Sequence, residues 1–258
     1  MAALAVIPVF VRSEEERDVT IVTLRTLRDQ EPDLETLVVD DGSPSRDDWE
    51  KIKLFCEDNS IETFEKETNS GFSATVNVGL QRALDEGKDA ILLNADMEFT
   101  LPFVQKMTET TDSKGRPAAM VGALLTYPNG LVQHGGIFFS LLTRGLDHRF
   151  KYAPASLPEV NVKTTCPVTG AMQFIRHSTL ETVGLYDEDY LMAFEDVDAC
   201  IRVFEAGLEC VYNPEIKAIH HESFFRSKGK DEWHQKSLQT LYDKQGSASL
   251  GQFVPPIA

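Results

Sequence analysis

The sequence predicts a single α/β domain with a central, mostly parallel β-sheet flanked by helices. Three observations favour this fold class. Strand-like and helix-like segments alternate through residues 4–93, which is the pattern of parallel strands joined by helical crossovers. The chain has 258 residues, which is long enough for one large domain and short for two. Its 42% hydrophobic and 26% charged residues are the ordinary balance of a globular protein.

The first half of the chain contains four predicted strands and three predicted helices. The strands are short apolar runs at residues 4–10, 36–39, 61–64 and 90–93. A capping box begins the first helix, with Ser13 as N-cap and Glu16 as its third helical residue. The second helix begins after Ser45, and the third spans residues 72–84 and ends at Gly87.

The second half has a less regular pattern. Two strands at residues 120–125 and 131–139 flank a turn that contains Asn129 and Gly130. Residues 144–165 are predicted to form a long surface loop, and loops of this length are often functional. The remaining predicted elements are a strand at 170–175, helices at 178–183 and 195–205, and short strands at 210–212 and 217–219. We therefore expect one domain over residues 1–245 and a C-terminal tail over residues 246–258.

Charge and composition argue against several functional classes. The net charge of −16 repels phosphate backbones, and the densest basic stretch, residues 226–230, is followed by two acids, so no nucleic-acid partner is expected. The four cysteines lack a zinc or CxxC spacing and are predicted to be reduced core residues. No apolar run approaches the roughly 20 residues of a membrane span. We expect a cytoplasmic protein, with any membrane attachment peripheral.

Polar turns follow the second and third predicted strands. Asp40 and Asp41 end the second strand, where a carboxylate can accept a hydrogen bond from a nucleobase or a ribose hydroxyl. Asn69 and Gly71 precede the third helix, whose N-terminus can bind an anion. Asn77 lies inside that helix and faces either solvent or a ligand. The alternative for both turns is an ordinary solvated or capping turn.

A third polar turn, Asn94-Ala95-Asp96, follows the apolar strand at residues 90–93. A carboxylate at this position is a hard oxygen ligand suited to Mg²⁺ or Mn²⁺ shared with a diphosphate. The alternative is that Asp96 caps a helix that begins near Leu101. Nicotinamide and P-loop chemistry are not expected, because the sequence contains no GxGxxG after the first strand and no Walker A motif.

Two further segments carry candidate catalytic groups. Glu195 and Asp196 lie in the first turn of a predicted helix, after the apolar residues 190–194. Acids at that position are stabilised by the helix dipole, and a carboxylate with apolar walls can also act as a general base. His220 and His221 follow each other on a short strand, so their side chains point to opposite faces and at most one is expected to reach the site.

In order and spacing these segments resemble the family 2 glycosyltransferases, which have the GT-A fold. The resemblance covers residues 4–223, and no single segment of it is specific alone. The segments are residues 7–10, 38–43, 69–71 with Asn77, 94–96, 168–171, 184–188 and 195–198 followed by Arg202.

The resemblance implies inverting transfer of a sugar from a nucleoside-diphosphate sugar, with UDP- or dTDP-sugars as expected donors, to a hydroxyl of a carbohydrate or glycolipid acceptor. It implies a role in surface polysaccharide or glycoconjugate synthesis. Asp196 would be the general base beside Glu195, and Asp96 and His220 would bind Mn²⁺ or Mg²⁺. Residues 1–100 would bind the nucleotide sugar, and residues 101–245 would supply the acceptor side and catalysis. The implied donor-binding residues are Pro8, Phe10, Asp40, Asp41, Asn69, Gly71, Asn77, Asn94 and Gly170.

Two departures from the family pattern leave alternatives open. Asn94 stands where the family carries the first acid of its DxD motif, so metal binding would depend on fewer carboxylates, and Val11 replaces a frequent asparagine. One alternative is a non-catalytic module that binds a nucleotide sugar. The other is a sugar-phosphate nucleotidyltransferase, which would ordinarily have a basic, glycine-rich loop where residues 11–16 contain no glycine and end in three consecutive glutamates.

Overall fold

A computed structural model describes residues 2–140, 145–190, 193–222, 231–254 and 256–257. Three features named above lie outside the described residues: Arg144 at the start of the predicted loop, residues 191–192 of the apolar segment, and the basic stretch at 226–230. The described part contains no helix that is both long enough and apolar enough to span a membrane.

The secondary structure follows the predicted alternation in its first half. The strands are β1 (Ala3–Val9), β2 (Glu35–Asp40), β3 (Glu62–Glu65), β4 (Asp89–Leu93), β5 (Met97–Glu98), β6 (Met120–Thr126), β7 (Val132–His134), β8 (Ile137–Ser140), β9 (Gly145–His148), β10 (Thr164–Thr165), β11 (Met172–Ile175), β12 (Cys210–His220) and β13 (Pro256–Ile257). The α-helices are α1 (Glu14–Gln30), α2 (Arg46–Asp58), α3 (Phe72–Asp85), α4 (Val104–Glu109), α5 (His177–Val183), α6 (Glu195–Glu205) and α7 (Asp231–Phe253).

The large sheet has the strand order β10-β12-β6-β11-β4-β1-β2-β3, with β5 also paired to β12 and β7 to β6. Strands β4, β1, β2 and β3 run parallel to one another, and β6 runs parallel to β12. Strand β11 is antiparallel to both β4 and β6. The predicted fold class, an α/β domain with a mixed and mostly parallel central sheet, is therefore confirmed.

Apolar side chains on the two faces of this sheet form two separate cores. Ile7 packs in one cluster with Leu24 of α1 and Trp49 of α2. Its neighbour Val6 packs in the other cluster with Leu80 of α3, as the alternation of side chains along a strand requires. The helices of the first half thus cover both faces and leave the carboxyl edge of the parallel strands for the polar turns.

A third cluster joins α6 to the C-terminal helix. Val197 and Ile201 of α6 pack with Leu241, Leu250 and Val254. The last two belong to the predicted C-terminal tail, residues 246–258, and both are buried. The helix that starts at Glu195 is consequently held from its outer side as well as against the sheet.

Three predicted elements of the second half have different bounds in the structure. The strand expected at 131–139 is two strands, because the backbone turns at Gly136, which has a φ of 100°. The two short strands at 210–212 and 217–219 are one strand, β12, with an irregular register between Asn213 and Lys217. The long surface loop at 144–165 contains β9, β10 and a 3-10 helix at Pro158–Asn161.

Candidate active site

The turn after β2 lies beside the end of β1, where the Asp41 N–H donates to the Val9 carbonyl at 2.8 Å. Pro8 and Phe10 alternate with the buried Val9 and are half-buried at this edge. Asp40 is fully buried. Its Oδ1 accepts hydrogen bonds from the N–H and the hydroxyl of Ser43, and its Oδ2 lies 3.0 Å from Arg46 Nη1. Both carboxylate oxygens of Asp40 are therefore already engaged within the turn.

Asp41 connects this turn to the one before α3. Its carboxylate accepts the N–H groups of Ser70 at 2.9 Å and Gly71 at 3.1 Å, and Lys66 Nζ lies 2.9 Å away. Asn69 Oδ1 accepts the same Gly71 N–H at 3.2 Å. The two turns are thus one structural unit at the sheet edge. Beside it is a pocket of about 290 Å³ lined by Gly42, Ser43, Arg46, Glu65, Lys66 and Glu67.

The amide of Asn77 is used inside the protein. Its Nδ2 donates to the Tyr186 carbonyl at 2.9 Å and to Glu188 Oε1 at 2.8 Å, while its Oδ1 accepts the Tyr186 N–H at 3.0 Å. Asn77 therefore fixes α3 to the segment that precedes α6.

The structure brings Asp96 and His220 together. Asp96 is 2% exposed, and its Oδ1 lies 3.1 Å from His220 Nε2. In the part of the chain that the structure describes, Asp96 Oδ1 is a buried atom that receives no hydrogen bond. Asn94 Nδ2 lies 3.3 Å from the same Nε2. Of the two adjacent histidines, His220 faces the turn, whereas His221 Nε2 lies 3.6 Å from Glu98 Oε2.

The contact of the other ring nitrogen of His220, Nδ1, indicates which tautomer faces Asp96. His220 Nδ1 is 3.3 Å from Gln133 Oε1, an oxygen that can only accept, so Nδ1 carries the proton. In the neutral ring, Nε2 then presents a lone pair to a carboxylate oxygen. Two acceptors at this distance are a favourable arrangement only when a proton or a cation lies between them. An oxygen and an imidazole nitrogen are suitable ligands for Mn²⁺.

Other acidic, histidine or cysteine side chains do not enlarge this site. Across the described ranges, no group of three or more of these side chains is arranged to hold a metal ion. Any ion bound by Asp96 and His220 would therefore take its remaining ligands from neutral protein groups, water or a bound phosphate.

Glu195 and Asp196 begin α6 directly after two strained residues. Ala193 and Phe194 have φ values of 67° and 71°, a left-handed conformation that costs residues with a side chain free energy and is frequent at functional sites. Asp196 Oδ2 accepts the Gly170 N–H at 2.9 Å, and its Oδ1 accepts the Val197 N–H at 2.8 Å. The carboxylate of Asp196 thus has a fixed orientation, set by backbone donors.

Burial alters the acidity of both carboxyl groups. Desolvation, with a smaller contribution from the charge of Asp196, raises the pKa of Glu195 to about 8. Desolvation also raises the pKa of Asp196, although the hydrogen bonds from Gly170 and Val197 oppose it. A raised pKa makes Asp196 a stronger proton acceptor than a surface aspartate.

The third acid of this helix is structural. Asp198 accepts the Tyr190 hydroxyl at 3.0 Å and the Gln245 amide at 2.7 Å, and Arg202 Nε lies 2.9 Å from its carboxylate. Arg202 also donates to the Leu185 carbonyl at 2.9 Å. The pair Asp198–Arg202 therefore holds the segment before α6 and the C-terminal helix in place.

One short segment, Thr169–Gly170–Ala171, connects the two halves of the candidate site. Its Gly170 N–H binds the Asp196 carboxylate, and its Ala171 carbonyl accepts the Asn94 N–H at 2.9 Å. There is little room for a side chain at Gly170, since a Cβ there would lie 3.2 Å from the Tyr186 hydroxyl oxygen and 3.5 Å from Asp196 Cβ. The segment thus fixes the position of the Asp196 carboxylate relative to the turn Asn94-Ala95-Asp96.

Sequence reasoning missed Gln133, His134 and Thr169. All three are buried polar residues close to the site. A signal existed for two of them, because Gln133 and His134 interrupt an apolar run and are followed by two glycines. A polar pair inside a predicted strand needs buried partners, which here are His220 and the Thr169 N–H.

The raised pKa of Glu195 predicts a specific pH dependence of stability. The folded protein keeps this proton up to about pH 8, whereas the unfolded chain releases it near the ordinary glutamate pKa of 4.5. Between these values the folded state binds more protons, so the free energy of unfolding falls as pH rises. The expected decrease in the free energy of unfolding is up to about 1.4 kcal/mol per pH unit. Glu195→Gln is expected to remove this decrease. Urea unfolding of both proteins between about pH 5 and pH 8 measures it.

The control is Glu15→Gln, the same substitution at an exposed position of α1. Its stability curve should run parallel to that of the unmodified protein. If Glu195→Gln also runs parallel, Glu195 is ionised in the folded protein and the assignment of its raised pKa is wrong.

Known proteins resemble this chain in sequence and in fold. The family model described as Glycosyl transferase family 2 matches residues 5–154. The O-antigen biosynthesis protein RfbC of Myxococcus xanthus is 31% identical over 147 residues, which are 54% of this chain and 11% of that protein. The N-acetylglucosaminyl-diphospho-decaprenol L-rhamnosyltransferase of Mycobacterium tuberculosis (strain ATCC 25618 / H37Rv) is 27% identical over 183 residues, covering 63% of this chain and 59% of that enzyme.

Among solved structures, GalNAc-T7 with UDP, GalNAc and Mn²⁺ has the same fold. The TM-score is 0.69 at 15% sequence identity, over 93% of this chain and 47% of that one. This chain therefore spans less than two thirds of each of these proteins.

Proposed function

The chain belongs to glycosyl transferase family 2, and from that premise we propose that it is an inverting, metal-dependent glycosyltransferase. The observation that supports this most directly is the segment Thr169–Gly170–Ala171, which joins the half-buried carboxylate of Asp196 to the turn that carries Asp96. Sugar transfer from a nucleoside-diphosphate sugar has two requirements. One is an acid that accepts a proton, here Asp196, and the other is a pair of groups that can face the diphosphate, here Asp96 and His220.

Asp196 acts as the general base in this proposal. Its carboxylate takes the proton of an acceptor hydroxyl while the hydroxyl oxygen attacks the anomeric carbon of the donor. The new bond joins that oxygen to the sugar, and the bond between the sugar and the diphosphate breaks from the opposite side. The nucleoside diphosphate leaves with the bonding electrons, and the anomeric configuration is inverted.

Asp96 and His220 are the residues that would hold a divalent cation. Their fit rests on the buried Asp96 Oδ1 that receives no hydrogen bond within the described residues, opposite an imidazole nitrogen at 3.1 Å. When bound, Mn²⁺ or Mg²⁺ neutralises the charge that develops on the departing diphosphate. Gln133 Oε1 accepts a hydrogen bond from the Nδ1–H of His220, which keeps the Nε2 lone pair directed at Asp96.

The donor side comprises the connected turns at Asp40, Asp41 and Gly71, and the acceptor side lies in residues 101–245. UDP- or dTDP-sugars are the proposed donors, and a carbohydrate or glycolipid hydroxyl is the proposed acceptor. Two of the relatives, an O-antigen biosynthesis protein and an N-acetylglucosaminyl-diphospho-decaprenol L-rhamnosyltransferase, support a role in polysaccharide or glycoconjugate synthesis. A cytoplasmic location, with peripheral contact to a membrane that presents the acceptor, belongs to the same proposal.

Donor hydrolysis tests the proposal without knowledge of the acceptor. The protein is incubated with a panel of nucleotide sugars, with and without Mn²⁺, and free nucleoside diphosphate is measured. We expect metal-dependent release from one donor. Donor binding by calorimetry without any release in the presence of acceptor mixtures would instead indicate a non-catalytic module, and release of pyrophosphate from a nucleoside triphosphate and a sugar phosphate would indicate a nucleotidyltransferase.

A further inference from the structure

His134, in the three-residue strand β7, is completely buried and makes polar contacts through both ring nitrogens. Its Nε2 accepts the N–H of Gly136 at 3.3 Å and the N–H of Thr169 at 3.4 Å. Its Nδ1 lies 2.7 Å from Nδ1 of His148 on β9. A backbone N–H can donate only to an unprotonated nitrogen, so Nε2 carries the lone pair and Nδ1 carries the proton.

The contacts of His134 therefore require one neutral tautomer. Burial, and to a smaller extent the neighbouring His148 and His220, lowers the pKa of His134 well below its usual value. The ring stays neutral at physiological pH, and its acceptor nitrogen lies 3.4 Å from the backbone nitrogen of Thr169. The Nε2 of this neutral histidine thus links two backbone segments, because it accepts hydrogen bonds from the N–H groups of Gly136 and Thr169.

The Thr169 N–H is the first of three consecutive backbone contacts. The next residue, Gly170, donates its N–H to Asp196, and the third, Ala171, accepts the N–H of Asn94. A shift of the Thr169 peptide therefore moves the donor that orients the Asp196 carboxylate. By accepting the Thr169 N–H, His134 holds the start of this segment, where the Thr169 side chain also forms a hydrogen bond with Asp196.

We propose that His134 is a positioning residue for Asp196: its Nε2 fixes the Thr169 N–H and thereby aims the Gly170 N–H at the carboxylate. The inference rests on the proposed function for its catalytic consequence, and on the hydrogen-bond geometry alone for its structural part. It differs from a packing role, because it requires an acceptor atom at the position of Nε2 and not merely a side chain of the right volume.

Two amide substitutions separate these roles. The glutamine amide reaches the position of the histidine Nε2, and the asparagine amide reaches only that of Nδ1. His134→Gln can therefore still accept the Thr169 N–H, whereas His134→Asn cannot. We expect His134→Asn to lower kcat for donor hydrolysis on the order of 10- to 100-fold, as misplacement of a catalytic group does, with donor affinity by calorimetry unchanged. His134→Gln should restore kcat to within a few-fold of the unmodified protein.

Backbone amide resonances give a readout that needs no turnover. In ¹⁵N-labelled protein without substrate, His134→Asn should shift the amide signals of Thr169 and Gly170, and His134→Gln should leave the Gly170 signal close to its original position. Equal kcat values for the two variants, or unshifted Thr169 and Gly170 signals in His134→Asn, would overturn the proposal. If the unmodified protein releases no nucleoside diphosphate from any donor, the proposed function fails, and the amide signals still decide whether His134 fixes this segment.

Thermal unfolding of both variants shows whether the comparison is made on folded protein. If His134→Asn does not fold, the half-buried partner His148 provides a second pair. His148→Asn keeps an acceptor for the His134 Nδ1 proton and should retain kcat, whereas His148→Leu removes it and should lower kcat with donor affinity preserved. Equal kcat values for these two variants would contradict the fixed tautomer on which the proposal depends.

Discussion

Replacing Asp196 with asparagine is expected to lower the rate of sugar transfer by about 10²- to 10⁴-fold, the usual contribution of a general base. Asparagine has nearly the same size and keeps an oxygen that can accept the Gly170 N–H, which lies 2.9 Å from the carboxylate. The helix start and the Thr169–Gly170–Ala171 segment should therefore remain in place. The asparagine amide cannot take the proton from the hydroxyl of the sugar acceptor. The chemical step should therefore be slowed, whereas donor affinity should be unchanged.

The measurement is kcat with the donor identified by hydrolysis, together with donor affinity by calorimetry. Asp189→Asn is the matched control, because Asp189 is the same residue type in the segment before α6 but has a side chain that is 73% exposed and forms an ion pair with Lys244. The control should keep full turnover. Normal turnover in Asp196→Asn would exclude Asp196 as the base and direct attention to Glu195.

Replacing Asp96 with alanine is expected to abolish the Mn²⁺-dependent part of donor release. Neutralisation of a leaving diphosphate by a metal ion is worth several kcal/mol, so the loss should be on the order of a hundredfold or more. The physical reason is that Asp96 supplies the only charged oxygen opposite His220 Nε2, at 3.1 Å, in the described part of the site. Without it, the imidazole of His220 and the amide of Asn94 remain.

Binding of Mn²⁺ in the presence of the nucleoside diphosphate, measured by electron paramagnetic resonance, reports the same effect without turnover. The control is Glu98→Gln, since Glu98 is the nearby acid of β5 and faces His221 rather than His220. It should bind Mn²⁺ as the unmodified protein does. Unchanged Mn²⁺ affinity in Asp96→Ala would show that the ion, if one is used, is held elsewhere.

Local sequence patterns predicted the first half of the molecule closely. The strands ending at Asp40 and Leu93 and the helix from Phe72 were recognisable because each has a clear apolar period and a capping or turn residue at its end. The second half was harder to predict. The single strand β12 looked like two strands because Asn213 and Pro214 interrupt its apolar pattern, and the split between β7 and β8 depends on the close approach of Gly136 to Cys166, where a Cβ would lie 2.5 Å from the sulfur.

The sequence by itself determined the fold class, the family and the segments that carry Asp96 and Asp196, because alternating strands and helices place the carboxyl ends of parallel strands at one edge. Only the tertiary structure decided which side chains meet there. His220, and not His221, lies beside Asp96. Both carboxylate oxygens of Asp40 are bound within its own turn, and His134 accepts the Thr169 N–H. The contacts of the two histidines join residues far apart in the chain, 126 positions for Asn94 and His220 and 35 for His134 and Thr169. Local patterns specify elements, whereas such pairs depend on how completed elements pack.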